Sequence, residues 1–205
     1  EFPFDVEARW LLALSYDLAF EDDAAVAELK RLLEQEPQND YFWSYLGESY
    51  LRLGEYDLAR QALDQYLKFK PRDPFGFTTL GQLDQLTGNL SRAADHFAHA
   101  LELEPGFVPA RLALARTQVL RNMWDDAEAQ LRRLASDEEA SAGIRIDAAF
   151  DLSALLRGQG RFADSIQPLE MLEPLIRKEE VREAMALAER GSAHAELGQF
   201  DQSDK

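Results

Sequence analysis

The sequence predicts an all-α fold in which antiparallel helix hairpins repeat along the chain and stack on one another. Three observations predict it. The stretch "LGESYLRLGEYDLA" (46–59) returns 34 residues later as "LGQLDQLTGNLSRA" (80–93), with its leucine, both glycines and its last alanine in place. Within each period the apolar residues fall at helical spacing, as Trp43, Leu46 and Tyr50 do, or Leu63, Tyr66 and Leu67. Glycine or asparagine, and later proline, punctuate the period where one helix must turn back and the next must stop.

A repeat that begins at Asp40 sets the register. The seventh place holds Leu12, Leu46, Leu80, Leu114 and Leu152. The eighth holds Ala13, Gly47, Gly81, Ala115, Ser153 and Gly191, and the twentieth Ala25, Ala59, Ala93, Ala127, Ser165 and Ser203. Small side chains at two such places let a pair of helices cross at the usual interaxial distance of about 8–10 Å. Charged residues on solvated faces meet no such constraint, so they drift while the small ones recur. The fifteenth place, between the two helices, holds Phe20, Gly54, Gly88, Asn122, Gly160 and Gly198. Pro37, Pro71 and Pro105 close the first three repeats at the thirty-second place, which then passes to Glu139 and Arg177.

The first repeat is expected at about 6–39, with helices near 7–20 and 23–35. The next are 40–73, 74–107, 108–145 and 146–183, followed by a partial one at 184–205, all in one array over 1–205. One hairpin cannot bury enough apolar surface alone, so stacking of neighbours has to complete the core. Three places depart from the pattern. Asp84 and Gln118 stand where Tyr16 and Tyr50 put aromatic rings; their tips are expected to reach solvent, the alternative being a polar seam between repeats three and four. Pro168 is expected to bend the second helix of repeat five, and with the lengthened loops "ASDEEASAGI" and "LIRKEEV" to make the later repeats stack less regularly. Arg190 replaces the leucine expected in the last repeat and helps to solvate that end.

Composition narrows the function. The chain has 205 residues, 46% of them hydrophobic and 29% charged, enough to bury a core. Its net charge of −16 repels phosphate backbones and anionic headgroups, so no nucleic-acid partner is expected. No apolar run approaches the ~18 residues that would cross a bilayer, so no direct membrane insertion is expected. The absence of cysteine removes disulfides and thiolate chemistry but leaves the compartment open. Both ends read as cuts in something longer. Abundant arginine, alanine and leucine give a GC-rich, bacterial flavour, which suits a soluble protein of bacterial cytoplasm or periplasm.

No catalytic, cofactor or metal site is expected. The acidic cluster Glu21, Asp22 and Asp23 reads as a helix cap. His96 and His99 lie one turn apart with Asp95 and Glu102 nearby, but zinc needs three or four converging ligands and no partner pair is in view. His194 occupies a core-like place. "GQG" (158–160) lacks the strand–helix context of a nucleotide-binding turn.

The repeat resembles the tetratricopeptide family. Trp43, Leu46, Gly47, Tyr50, Gly54, Tyr56, Ala59 and Pro71 stand in its signature places, and Phe77, Leu80, Gly81, Gly88, Ala93, Phe97 and Pro105 do so in the next repeat. The resemblance implies a right-handed α-solenoid, non-enzymatic, whose first helices line a concave face. That face would present the second, fifth, ninth and twelfth places of each repeat. These include Tyr41, Ser44, Glu48, Phe75, Thr78, Gln82, Gln85, Leu112, Arg116, Phe150 and Arg157. Such a strip suits an extended peptide or a partner helix, although Tyr41 and Phe75 are better suited to packing on the preceding repeat. The lysine and asparagine with which some members clamp a C-terminal carboxylate are absent: the fifth and ninth places hold Ser44 and Glu48, Thr78 and Gln82, Leu112 and Arg116. The expectation is a scaffold that binds a partner protein, with charge reversal at Arg116 or truncation of Phe75 weakening capture. A second reading is a periplasmic segment of a bacterial exopolysaccharide export machine, which recruits a modifying enzyme or guides the polymer. Self-association through uncovered array ends is a further expectation.

Overall fold

The computed structural model describes residues 6–177 and 180–196, and among them all regular structure is helical. The order is α1 (Val6–Leu18), α2 (Asp22–Gln35), α3 (Asp40–Leu53), α4 (Tyr56–Phe69), α5 (Pro74–Leu86), α6 (Leu90–Leu103), α7 (Val108–Leu120), α8 (Trp124–Ser136), α9 (Ala142–Gly158), α10 (Phe162–Met171), α11 (Glu173–Ile176) and α12 (Glu180–Glu196). The chain divides into two compact units, Glu1–Ala110 and Arg111–Lys205, with the boundary inside α7.

Each hairpin turn is built the same way. The fifteenth residue adopts the left-handed conformation at Phe20 (φ 57°), Gly54 (77°), Gly88 (80°), Asn122 (60°) and Gly160 (74°). The next residue's N–H then reaches back to the eleventh residue's carbonyl. These bonds are Glu21 to Tyr16 (2.9 Å), Glu55 to Tyr50 (2.9 Å), Asn89 to Asp84 (2.7 Å), Met123 to Gln118 (2.9 Å) and Arg161 to Leu156 (2.9 Å). This Schellman arrangement satisfies carbonyls that the helix end leaves open. Glycine takes the conformation without strain, whereas a phenylalanine there pays about 1–2 kcal/mol.

In the N-terminal unit α1/α2, α3/α4 and α5/α6 form three hairpins, and α2 packs on α3 and α4 on α5. The small residues act where expected. A Cβ on Gly47 would lie 2.9 Å from Leu63 Cδ2 and 3.7 Å from the carbonyl of Ala59, so the eighth and twentieth places do meet at the crossing. Gly81 is tighter still, at 2.5 Å from Phe97 Cε1. The twenty-fourth place therefore supplies the knob: Leu29, Leu63, Phe97, Leu131 and Leu169 are all buried. Asn39 and Asp73 cap α3 and α5 by accepting from the N–H groups of Tyr41 (3.2 Å) and Phe75 (2.9 Å). Asp73 also accepts from the Tyr66 hydroxyl, tying α4 to the start of α5.

In the C-terminal unit α9 packs on α8, α9 and α10 pair, and α12 packs on α10. Its core gathers Leu131, Leu134, Ile146, Ala149, Leu152, Leu156, Ile166 and Leu169. Two local features differ from expectation. α9 begins at Ala142, ahead of the expected repeat start at Ile146, because Ser141 caps it by accepting from Ile144 N–H at 3.5 Å. The second helix of repeat five is broken rather than merely bent. α10 ends at Met171, three residues past Pro168, and Pro174 opens the short α11. Arg190 of α12 reaches Glu170 of α10 at 3.6 Å. Gly198, Ser203 and the second helix expected in the last repeat lie outside the described residues.

Asp84 does not reach solvent. It is 0% exposed, and it sits not between repeats three and four but between repeats two and three. Arg60 of α4 binds its Oδ1 at 2.5 Å, Arg92 approaches at 3.6 Å, and His96 Nδ1 stands 2.9 Å from Oδ2. Neither that nitrogen nor Oδ2 makes a well-aligned hydrogen bond. Gln118 likewise buries its Oε1. Burial without an anchoring cation would be prohibitive for Asp84; Arg60 supplies the cation from the neighbouring repeat.

Candidate partner-binding face

The side chains that the repeat register assigns to the first-helix face fall into three groups. Tyr41 is 63% exposed and Gln82 is exposed, while Glu48, Phe75, Gln85, Leu112, Phe150 and Arg157 are half-buried. Ser44 and Thr78 are buried, and their hydroxyls donate within their own helices, to the carbonyls of Tyr41 (2.9 Å) and Pro74 (2.7 Å). Phe75 packs edge-on against Tyr66 of the preceding repeat, with ring centroids 6.3 Å apart. Phe75 is thus engaged by the preceding repeat, whereas Tyr41 stands exposed.

The arginines of this face are committed to stacking. Arg116 of α7 bonds Asp151 of α9 at 2.5 Å, and Arg157 of α9 bonds Glu189 of α12. In the N-terminal unit Arg52 of α3 bonds Asp17 of α1 and, at 2.7 Å, Asp22 of α2. The Arg116–Asp151, Arg157–Glu189 and Arg52–Asp17 pairs each link first helices one repeat apart. Burial raises the carboxyl of Asp151 above its ordinary value although Arg116 pulls it down. Burial also raises Glu48, with Arg52 opposing and Asp17 adding to the rise.

A concavity lies in the N-terminal unit, between α1 and the start of α3. It is an open cleft of ≈ 550 Å³. Trp10 lines it, 5.0 Å from Tyr45 at 85° and 5.2 Å from Phe42 at 47°. Phe42 is buried, Trp10 and Tyr45 are half-buried and Tyr41 stands out at the edge. Val6, Glu7, Glu36 and Asn39 complete the lining. Burial, then Asp17 and Glu48, raise the Tyr45 hydroxyl above the ordinary tyrosine range, so this ring stands in a negative field. Trp10 and Tyr45 were not among the residues assigned to the face from sequence. Trp10 occupies the fifth place of repeat one, the place of Ser44 and Thr78, so the register carried to the first repeat reaches it. Tyr45, at the sixth place, has no such signal.

Two of the three histidines are engaged within repeat three. His96 faces Asp84, and His99 stacks edge-on against Phe77 at 4.4 Å while its Nδ1 lies 3.1 Å from Glu102. Glu21 precedes α2 without a side-chain cap bond, and Asp22 is used by Arg52. Among the described residues no cluster of three or more histidines and carboxylates could hold a metal ion, and no helix is long and apolar enough to cross a membrane.

Two tetratricopeptide-repeat family models match the chain, at residues 23–74 and 86–143, together just over half of it. The chain belongs to the tetratricopeptide-repeat family. Solved structures agree with that fold. It is similar to PilW, a type IV pilus biogenesis factor, at 21% identity and a TM-score of 0.78, covering 97% of this chain and 88% of that one. It is also similar to a thermophilic tetratricopeptide protein of Thermus thermophilus, at 18% identity and a TM-score of 0.70, covering 90% and 98%. Among curated proteins, Superkiller complex protein 3 of Mus musculus is 27% identical over 112 residues, which are 54% of this chain and 7% of that relative. The human protein of that name is 25% identical over 112 residues. The chain thus spans only a small part of these curated relatives. Tetratricopeptide repeats form α-solenoids that serve in general as non-enzymatic platforms for protein–protein interaction.

Proposed function

We propose that this tetratricopeptide chain is a scaffold that holds a partner protein on the first-helix face of its N-terminal unit, and that the α1–α3 cleft is the anchoring site. The observation that supports this reading is the exposed aromatic edge of that cleft. Tyr41 is left 63% exposed beside Trp10 and Tyr45, in a concavity that the packing of α1 on α3 does not close. Aromatic side chains in a pre-formed pocket supply most of the binding energy of typical interfaces. Gln82 and Gln85 of α5 extend the face with hydrogen-bonding groups for a main chain. Arg116 and Arg157 act in this reading as stacking residues of the C-terminal unit rather than as ligands.

The test is affinity capture with the full chain followed by mass spectrometry. A specific protein recovered by the parent chain and lost with Tyr41→Ala, but retained with Leu58→Ala on the second-helix side, supports the proposal. Equal recovery by both variants refutes it. A second reading, export of an exopolysaccharide, draws on the same cleft, because aromatic faces beside the carboxylates Glu7 and Glu36 are also sugar-binding chemistry. In that case a neutral oligosaccharide, rather than a protein, protects Trp10 from quenching by acrylamide.

A further inference from the structure

The cleft carries an electrostatic bias that its fold does not require. Among the described residues that line it, Glu7 and Glu36 are acidic and none is basic. The two helices that form it carry one basic residue each, Arg9 on α1 and Arg52 on α3. Arg9 binds Glu28 of α2, and Arg52 is shared among Asp17, Asp22 and, at 3.8 Å, Glu48. Three carboxylates around one guanidinium leave a surplus of negative charge behind Tyr45. Asp40, next to Tyr41, is met by Lys70 at 3.4 Å. The rings themselves add to the bias, since a π face is the negative part of an aromatic quadrupole.

We propose that the α1–α3 cleft receives an arginine or lysine side chain from a basic segment of a partner protein, with the rings of Trp10, Tyr41 and Tyr45 as walls and Glu36 as counter-charge. The proposal rests on the reading of this face as the partner-binding one and adds the chemistry of the partner. The perpendicular Trp10 and Tyr45 rings offer a cation two different surfaces, and its methylene stem packs against Val6 and Phe42. The acidic surroundings draw in a basic segment from a distance and turn away an acidic one. A neutral apolar segment would fill the same volume but leave the field of the carboxylates unused.

The experiment uses the full chain and four blocked peptides, Ac-Gly-Ser-Xaa-Ser-Gly-NH2, in which Xaa is arginine, citrulline, leucine or glutamate. Binding is followed by the indole N–H resonance of Trp10, assigned by its loss in Trp10→Phe. Citrulline keeps the shape and hydrogen bonds of arginine and removes its charge. The arginine peptide is expected to shift the Trp10 resonance and to bind about tenfold tighter than the citrulline peptide. Glu36→Gln and Tyr41→Leu alter exposed side chains and leave the core intact, and each is expected to weaken arginine binding by roughly threefold to tenfold. Added salt weakens it further. Equal binding of the arginine and citrulline peptides, or preference for leucine or glutamate, overturns the cation proposal while leaving the face assignment standing. No shift of Trp10 by any peptide up to about 10 mM overturns both. A shift that neither Glu36→Gln nor Tyr41→Leu changes overturns the assignment of these residues to the site.

Discussion

Gly81→Ala probes the contact that sets the hairpin spacing. The added Cβ would stand 2.5 Å from Phe97 Cε1, 2.7 Å from Cδ1 and 2.8 Å from Cζ. Ordinary contact between carbons is about 3.5–4.0 Å, so α5 or the Phe97 ring has to yield by roughly 1 Å. Phe97 is 0% exposed and cannot swing into solvent. Overpacking of that kind costs about 1–3 kcal/mol, against a gain of about 0.8–1 kcal/mol from placing alanine rather than glycine in a helix. The net expectation is a loss of up to about 2 kcal/mol. Other repeats show how the clash is relieved, since Ala13 and Ala115 occupy this place where the twenty-fourth residue is Leu29 or Leu131. Phe97→Leu alone should cost about 1 kcal/mol as a partial cavity. The double variant, which recreates the Ala13–Leu29 pair, should be more stable than the sum of the single effects by at least about 1 kcal/mol. Urea denaturation followed by circular dichroism measures all four proteins. Additive effects, or a Gly81→Ala variant more stable than the parent, would refute the view that this place sets the crossing.

Four further outcomes follow from the same geometry. Phe20→Gly should stabilise the chain by about 1 kcal/mol, read as a raised Tm, because it relieves a left-handed phenylalanine that is 77% exposed and contributes little packing. Arg60→Met should cost about 2 kcal/mol or more in urea midpoint, since it withdraws the closest cation from the buried Asp84. Arg116→Glu should lower the stability of the C-terminal unit by opposing Asp151, so a loss of partner capture in that variant has to be judged against its thermal melt. Glu48→Gln should stabilise near neutral pH by under about 1 kcal/mol. The sign follows from the raised carboxyl: the folded state disfavours the ionised form, so a cost absent below the unfolded pKa of about 4.3 appears as pH rises through the folded value. The advantage of glutamine over the parent should therefore vanish on acidification to about pH 4, and an advantage that grows there would contradict the assignment.

The helix pairs were legible because their determinants are local or strictly periodic. A left-handed residue is needed at each hairpin turn, and the register places Phe20 and Asn122 there as firmly as Gly54. The small eighth and twentieth residues announce the crossing in the same way. What the sequence obscured depends on pairs one repeat apart. Asp84 looked like a tip in solvent because its partner Arg60 lies on the preceding repeat. Arg116 read as a lone cation of the face because its partner Asp151 lies on the following one. The Arg116–Asp151 pair has a signature that could be searched for, an arginine and a carboxylate about one period apart on equivalent helices, as Arg52 and Asp17 also are; Arg60 and Asp84, on a second and a first helix, do not share it. The early start of α9 followed from Ser141, a capping residue masked by the expectation of a long loop. The cleft was half legible: Tyr41 stood out by its place, but Trp10 and Tyr45 join it only once α1 lies against α3.

The most direct test of the central claim is site-specific crosslinking in cells that contain the partner. A photoreactive benzoylphenylalanine is placed at position 41, beside the cleft, or at position 58, on the exposed side of α4. The account predicts one dominant adduct from position 41, mapping by mass spectrometry to a segment bearing arginine or lysine, and none of that adduct from position 58. The same adduct from both positions, or from position 58 alone, would contradict it.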